Sequence, residues 1–308
     1  MYAFHVFCWS RWGACAPPVG GRRYAAAGLL DYAVLDASGG CTAIELVVSG
    51  ARISAETFSP PGAAGALFLL ANYVFDTLPH DAFRVMGDAL HEVTLSAGSR
   101  SRREPDPDDP GILLRLDNAW GVRPLPRGHG YYDDEGSDAG VLNGVLEWYR
   151  THLGAQDDGA SAAFLLPIGA FRCMRALRAL SAGRLFVITG DKGFADAEAF
   201  RGAPEPHLAV HGSFSVMVNL HACELYAAAH GGSALLSPQA ESSFSVSVFL
   251  PPDGDGGGGA FSEVAGAYAA APLTPDDALV LHDALVDRGG ALQLREVPAP
   301  AEICRTSA

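Results

Sequence analysis

The chain has 308 residues, 49% hydrophobic and 18% charged, with a net charge of −14. That length suits one large α/β domain or two small ones, and the composition can fill a sizeable core. The acidic balance argues against a general binder of nucleic acid or anionic membranes.

The first 30 residues hold Arg11, Arg22 and Arg23 and no acid. Such a composition resembles organelle targeting. Phe4, Val6, Phe7, Trp9 and Trp12 make it more apolar than an Arg/Ser-rich leader. A leader and a native element both stay open, and with them a mitochondrial or a cytoplasmic address. The six cysteines, Cys8, Cys15, Cys41, Cys173, Cys223 and Cys304, form no C-x-x-C pair. In a chain this long that predicts reduced thiols rather than a disulfide framework. No apolar run reaches ~18 residues, so no membrane insertion by a helix is expected.

In chain order, residues 29–36 read as a strand ending in Asp36, and residues 44–48 as a second strand. Ser59-Pro60-Pro61-Gly62 is a turn cluster. Leu67-Phe68-Leu69-Leu70-Ala71 is a short continuous apolar run, the signature of a buried parallel strand. It runs into Asn72, Tyr73, Phe75, Asp76 and Pro79. Ligands of open α/β sheets bind just past the carboxyl ends of such strands, so Asn72 and Asp76 are candidate polar groups between aromatic walls. A turn in which both bond only backbone is the competing reading.

Asp81–Leu90 is compatible with helix or extended chain, and His91–Ser96 with a strand. Residues 98–110 and 121–138 read as polar loops, and Val141–Leu153 as a helix. Phe164-Leu165-Leu166-Pro167 precedes a helix on which Phe171, Met174, Leu177 and Leu180 face one way. Arg172, Arg175 and Arg178 are expected on its solvated side. Arg184–Thr189 then reads as a buried strand, followed by Gly190-Asp191-Lys192-Gly193. His207–Val210 is extended, Ser213–His230 helical, and Ala234–Leu236 and Phe244–Leu250 form an antiparallel pair. Asp253–Gly259 opens a linker over 251–272, and 273–308 holds a short helix with Thr274 as N-cap and Pro275 at its first position.

Four of these blocks resemble, in order, segments of the MidA-like (NDUFAF-seven type) S-adenosylmethionine-dependent methyltransferases. They are Ala71–Pro79, Gly183–Gly193, His211-Gly212-Ser213-Phe214-Ser215 and Phe244–Leu250. The resemblance covers roughly residues 25–250. It implies a Rossmann-like class I methyltransferase sheet over residues 1–250, mostly parallel, with an antiparallel C-terminal edge strand. No G-x-G-x-x-G is present. Met1–Phe7 looks like the helix that would follow such a loop, so the first strand is expected to be missing. The resemblance further implies methyl transfer from S-adenosylmethionine to a protein nitrogen, arginine above all. Asn72 and Asp76 would orient the acceptor, while Asp36, Ala37, Ala71 and Tyr73 would line the cofactor. A protein substrate or partner follows from this, and a non-catalytic binding or assembly protein is the alternative.

The remaining candidates are weaker. Asp191-Lys192 lacks P-loop spacing and reads as an ion pair or a solvated turn. His207 and His211, with His221 and Cys223 nearby, do not supply three converging metal ligands. G-x-S-x-G is absent, which argues against a serine hydrolase.

Overall fold

The computed structural model describes residues 22–38, 41–58, 66–103, 106, 108–126, 130–154, 161–210, 214–237, 244–252 and 266. Residues 1–21, the 59–62 turn, the His211-Gly212-Ser213 segment, the 253–259 part of the linker and the 273–308 segment lie outside them.

Helix α1 (Arg22–Ala26) leads to a small hairpin of β1 (Ala43–Glu45) and β2 (Arg52–Ser54), followed by α2 (Ala55–Phe58). Strand β3 (Leu67–Asn72) comes next and ends in a 3-10 turn at Phe75–Thr77. The chain then builds an antiparallel unit from β4 (Asp81–Met86), β5 (Ala89–Ser99), β6 (Leu116–Pro124) and β7 (Ser161–Leu166), with α3 (Ala139–Gly154) before β7. Its order is β6-β5-β4-β7, and every neighbouring pair runs antiparallel. Helix α4 (Ile168–Leu180) and the long strand β8 (Leu185–Phe194) follow. Strands β9 (Leu208–Val210) and β10 (Phe214–Val216) pair antiparallel. Then come β11 (Val218–Asn219), α5 (Leu220–Ala229), β12 (Ser233–Leu236) and β13 (Phe244–Leu250).

Strand β8 organises the second large sheet. It takes β3 in parallel over Leu67↔Leu185 to Asn72↔Gly190, and β11 in parallel at its far end. On its other side it takes β13 antiparallel, and β12 closes that edge. Alternation decides its faces. Leu185, Val187, Thr189 and Asp191 are buried with Ala71, Ser245, Ser247 and Phe249, while Phe68 (51% exposed), Leu70 and Ile188 line the opposite, open face. Helix α4 buries Phe171, Met174, Leu177 and Leu180, the spacing that the sequence displays. It stops where Gly183 adopts φ +86° and donates its N–H to the Arg178 carbonyl, a conformation that favours glycine. Tyr149, Phe164 and Phe83 stack in series in the core, with centroids 4.5 and 5.8 Å apart. Such ring pairs contribute about 0.5–1.5 kcal/mol beyond area burial.

Several sequence expectations need correction. The expected mostly parallel Rossmann-like sheet is not formed. Parallel pairing is confined to β3–β8 and β11–β8, and all other named strand pairs are antiparallel. Apolar runs do not report strand direction: Phe164-Leu165-Leu166 is buried yet pairs antiparallel with β4. Leu67–Ala71, expected as a buried strand, pairs parallel but exposes Phe68 and Leu70, because one face of its sheet is uncovered there. Residues 29–36 form no strand, only an isolated bridge at Ala33↔Leu46. The 98–110 and 121–138 loops are shortened by β5 and β6, whose pairing runs from His91↔Pro124 to Ser99↔Leu116. The helix expected from Ser213 starts only at Leu220, because Asn219 caps it by accepting from Ala222 N at 3.0 Å. Leu67–Leu70, Leu185–Ile188 and Phe244–Phe249 do share one sheet.

The start of α4 is pressed onto the turn after β3. Gly169 N donates to the Pro79 carbonyl at 2.9 Å. A Cβ on Gly169 would lie 2.6 Å from Pro79 Cδ and 2.7 Å from Leu78 Cβ. Gly169→Ala is expected to cost about 1–3 kcal/mol, read as a lower urea midpoint at unchanged m value.

Candidate functional site

The carboxyl ends of β3 and β8 lie side by side, so Asn72, Tyr73 and the 3-10 turn open from one sheet edge together with Asp191. Tyr73 occupies the left-handed region at φ +51°. A non-glycine residue pays about 1–2 kcal/mol there and keeps the conformation only when its surroundings over-determine it. Three contacts do so. Tyr73 N donates to the Gly190 carbonyl at 2.8 Å. The Tyr73 ring packs on Phe244 at 5.4 Å. Two residues on, Phe75 N donates to Asp191 Oδ2 at 3.3 Å.

Gly190 admits this arrangement. A Cβ there would lie 2.8 Å from Phe244 Cζ and 3.0 Å from Asn72 Oδ1. Asn72 therefore sits on the open face with Phe68 and Leu70, while Asp76 turns to the buried side. The two predicted catalytic residues share the edge but approach it from opposite faces.

Asp76 meets Asp191. Asp191 is fully buried, and Thr189 Oγ1 donates to its Oδ2 at 2.7 Å. Asp76 Oδ1 and Asp191 Oδ1 are both buried without a hydrogen-bond partner. Burial pushes the Asp191 carboxyl up to about 7; the charge of Asp76 adds to this, and the Thr189 hydroxyl opposes it. Asp76 is raised as well, first by burial. Two carboxylates held together in a dry site resist ionising together, so the pair keeps one proton up to about pH 7. The expectation of an Asp191–Lys192 ion pair or solvated turn is thus corrected: alternation along β8 puts Lys192 on the other face. The signal was present in the sequence. Thr189 and Asp191 are two apart in an apolar strand, hence on one face, and that face is the buried one.

The residues expected to line a cofactor are dispersed. Asp36 Oδ1 accepts from Ser38 N at 3.0 Å and Ser38 Oγ at 2.7 Å, a local turn. Ala37 and Ala71 are buried, at 5% and 2% exposure, with their methyl groups in the core. The cavity beside β3, lined by Tyr32, Ala33, Ile44 and Leu67–Leu70, holds about 40 Å³. That is far below the several hundred Å³ of a pocket for a nucleoside-sized ligand. A second cavity, of about 380 Å³, is lined by Ser38, Cys41, Thr42, Ala55, Arg172 and Arg175. Neither cavity is lined by Asp36, Ala37, Ala71 or Tyr73.

Two of the three arginines expected on the solvated side of α4 are half-buried in ion pairs. Arg172 and Arg175 both engage Glu135, and Arg175 lies 3.8 Å from Asp138. Among the described residues no group of three His, Cys, Asp or Glu side chains converges on a metal position. No helix there is long and apolar enough to cross a membrane. No family model matches the chain, and no characterised protein matches its sequence.

The acid pair has a pH signature. An unfolded aspartate releases its proton near 3.9, whereas folded Asp191 keeps it to about 7. Between these values the folded state binds more protons, so this group's contribution to stability falls as pH rises. Asp191→Asn cannot release a proton. Its stability relative to the wild type should therefore improve steadily from pH 4 to pH 7, measured by urea unfolding across that range.

Proposed function

We propose that the sheet edge at Asn72–Asp76 is the acceptor site of an enzyme that transfers a methyl group from S-adenosylmethionine to a protein nitrogen. One observation carries this reading: a strained, non-glycine turn at Tyr73 stands where two parallel strands end, directly over a buried acid pair. Strain of this kind gathers at functional sites, and ligands of α/β sheets bind at such ends. The chemistry of the pair suits a basic nitrogen. Carrying one proton, Asp76 and Asp191 keep one negative charge, the complement of one guanidinium or ammonium group. Asp76, at 9% exposure, is the member nearer to solvent. As the N–C bond formed, the methyl–sulfur bond of S-adenosylmethionine would break and S-adenosylhomocysteine would leave; Asp76 would accept the proton that the nitrogen gives up.

A second reading, binding of a basic protein segment without methyl transfer, is favoured by the dispersal of Asp36, Ala37, Ala71 and Tyr73. The tests separate the two. The 308-residue chain is expected to bind S-adenosylmethionine more weakly than low micromolar, that is, by less than about 8 kcal/mol. Calorimetric titration checks this; a tighter constant would show a complete pocket. At millimolar cofactor, labelled methyl groups should appear on arginine nitrogens of a basic protein substrate. Label that never appears, with retained binding of the substrate, would leave the second reading. Asp76→Asn should lower the turnover about 10²–10⁴-fold, the range for a general base, while cofactor affinity stays unchanged. Equal losses in both would assign Asp76 a structural role.

A further inference from the structure

We infer that Asp191 is the positioning residue of this edge: it holds one proton jointly with Asp76 and clamps the turn that carries Asn72 and Tyr73. The inference rests on the reading of that turn as an acceptor site, but its geometry stands independently. Asp191 lies on the buried face of the central strand, with no exposed surface. Its Oδ2 is used twice, by Thr189 Oγ1 on its own strand and by Phe75 N on the turn. It thereby ties β8 to the backbone two residues beyond the strained Tyr73.

The other oxygen of each acid explains the proton. Asp191 Oδ1 and Asp76 Oδ1 are buried, and nothing donates to them. An orphaned buried carboxylate oxygen costs about 1–3 kcal/mol or more. A proton on one acid turns that acid into a donor to the other and removes part of the deficit. The surroundings supply no better solution. Besides the two acids themselves, two charged or titratable groups act on the pair from the elements packed around it: Lys192 from β8 and Cys223 from α5. Lys192 acts only by charge, from the opposite face. The Cys223 thiol is buried and is held neutral, first by that burial. With one proton the pair binds the turn; with none, two facing negative charges push Asp76 and its turn outward.

The test uses the full chain, labelled with ¹³C at aspartate carboxyls, and reads a proton rather than an activity. In the wild type one carboxyl should titrate well above the ordinary value of about 3.9. That high step should move down in Asp76→Asn, which removes the neighbouring charge but not the burial, and vanish in Asp191→Asn. Hydrogen exchange at the Phe75 amide gives the clamp. Asp191→Ala should speed it roughly tenfold and leave the amides of β13 unchanged. Asp191→Asn keeps an acceptor oxygen and should keep Phe75 protected. If Asp191→Ala fails to fold, the titration and the Asp191→Asn exchange decide. Two independent titrations near the ordinary value, or a Phe75 amide indifferent to Asp191→Ala, would overturn the inference. A shared proton and a clamped turn in a protein that transfers no methyl group would sink the proposed reaction and leave the positioning role intact.

Discussion

Strand β8 must satisfy hydrogen bonds along both of its backbone edges. It does so with partners that arrive from distant parts of the chain. Strand β3 comes from before the antiparallel unit and β13 from after the last helix. The strand reaches beyond β3 far enough to take β11 as well. A central strand with parallel and antiparallel neighbours cannot slip, because a one-residue shift would turn Thr189 and Asp191 out of the core. That register sets Asn72 opposite Gly190 and Asp191 beneath the turn, and so fixes the whole sheet edge.

The fold handles buried acids in two opposite ways. Glu135 is almost fully buried, and Arg172 and Arg175 from α4 both reach it. The hydrogen bond from Arg172 is the first cause holding the Glu135 carboxyl below its ordinary value. Asp191 has no arginine and is raised by burial. The first arrangement joins α4 to the segment before α3 and stays charged. The second stores a proton beneath a strained turn. The difference lies in what each helix face offers, not in the acids themselves.

The antiparallel unit between β3 and α4 alters the meaning of the parallel pair. A parallel pair needs a crossover, commonly one helix. Here the crossover contains four strands, α3 and α4. The Leu78–Pro79 turn and Gly169 meet where this excursion leaves and returns. The edge that carries Asn72 and Asp76 is braced from this side as well as by β8.

Much of the local structure was legible in the sequence. Phe171, Met174, Leu177 and Leu180 mark the buried face of α4, and the alternation of Phe244–Val248 marks β13, because side-chain period reports which face is buried. That Leu67–Ala71 forms a strand was legible too, but its open face, with Phe68 and Leu70 exposed, was not. Strand direction was not legible, and this is why a parallel sheet was expected where antiparallel pairs dominate. An apolar run such as Phe164–Leu166 looks the same in both, for burial leaves a trace in residue type and direction leaves none. Nor could spacing show that Asn72 and Asp76 face opposite sides, or that Asp191 completes the pair. Tyr73 reverses the chain by adopting a conformation its residue type disfavours, and it holds that conformation only through contacts with Gly190, Phe244 and, beyond the turn, Asp191. Those partners lie more than a hundred residues away, so only tertiary packing could bring them to the turn.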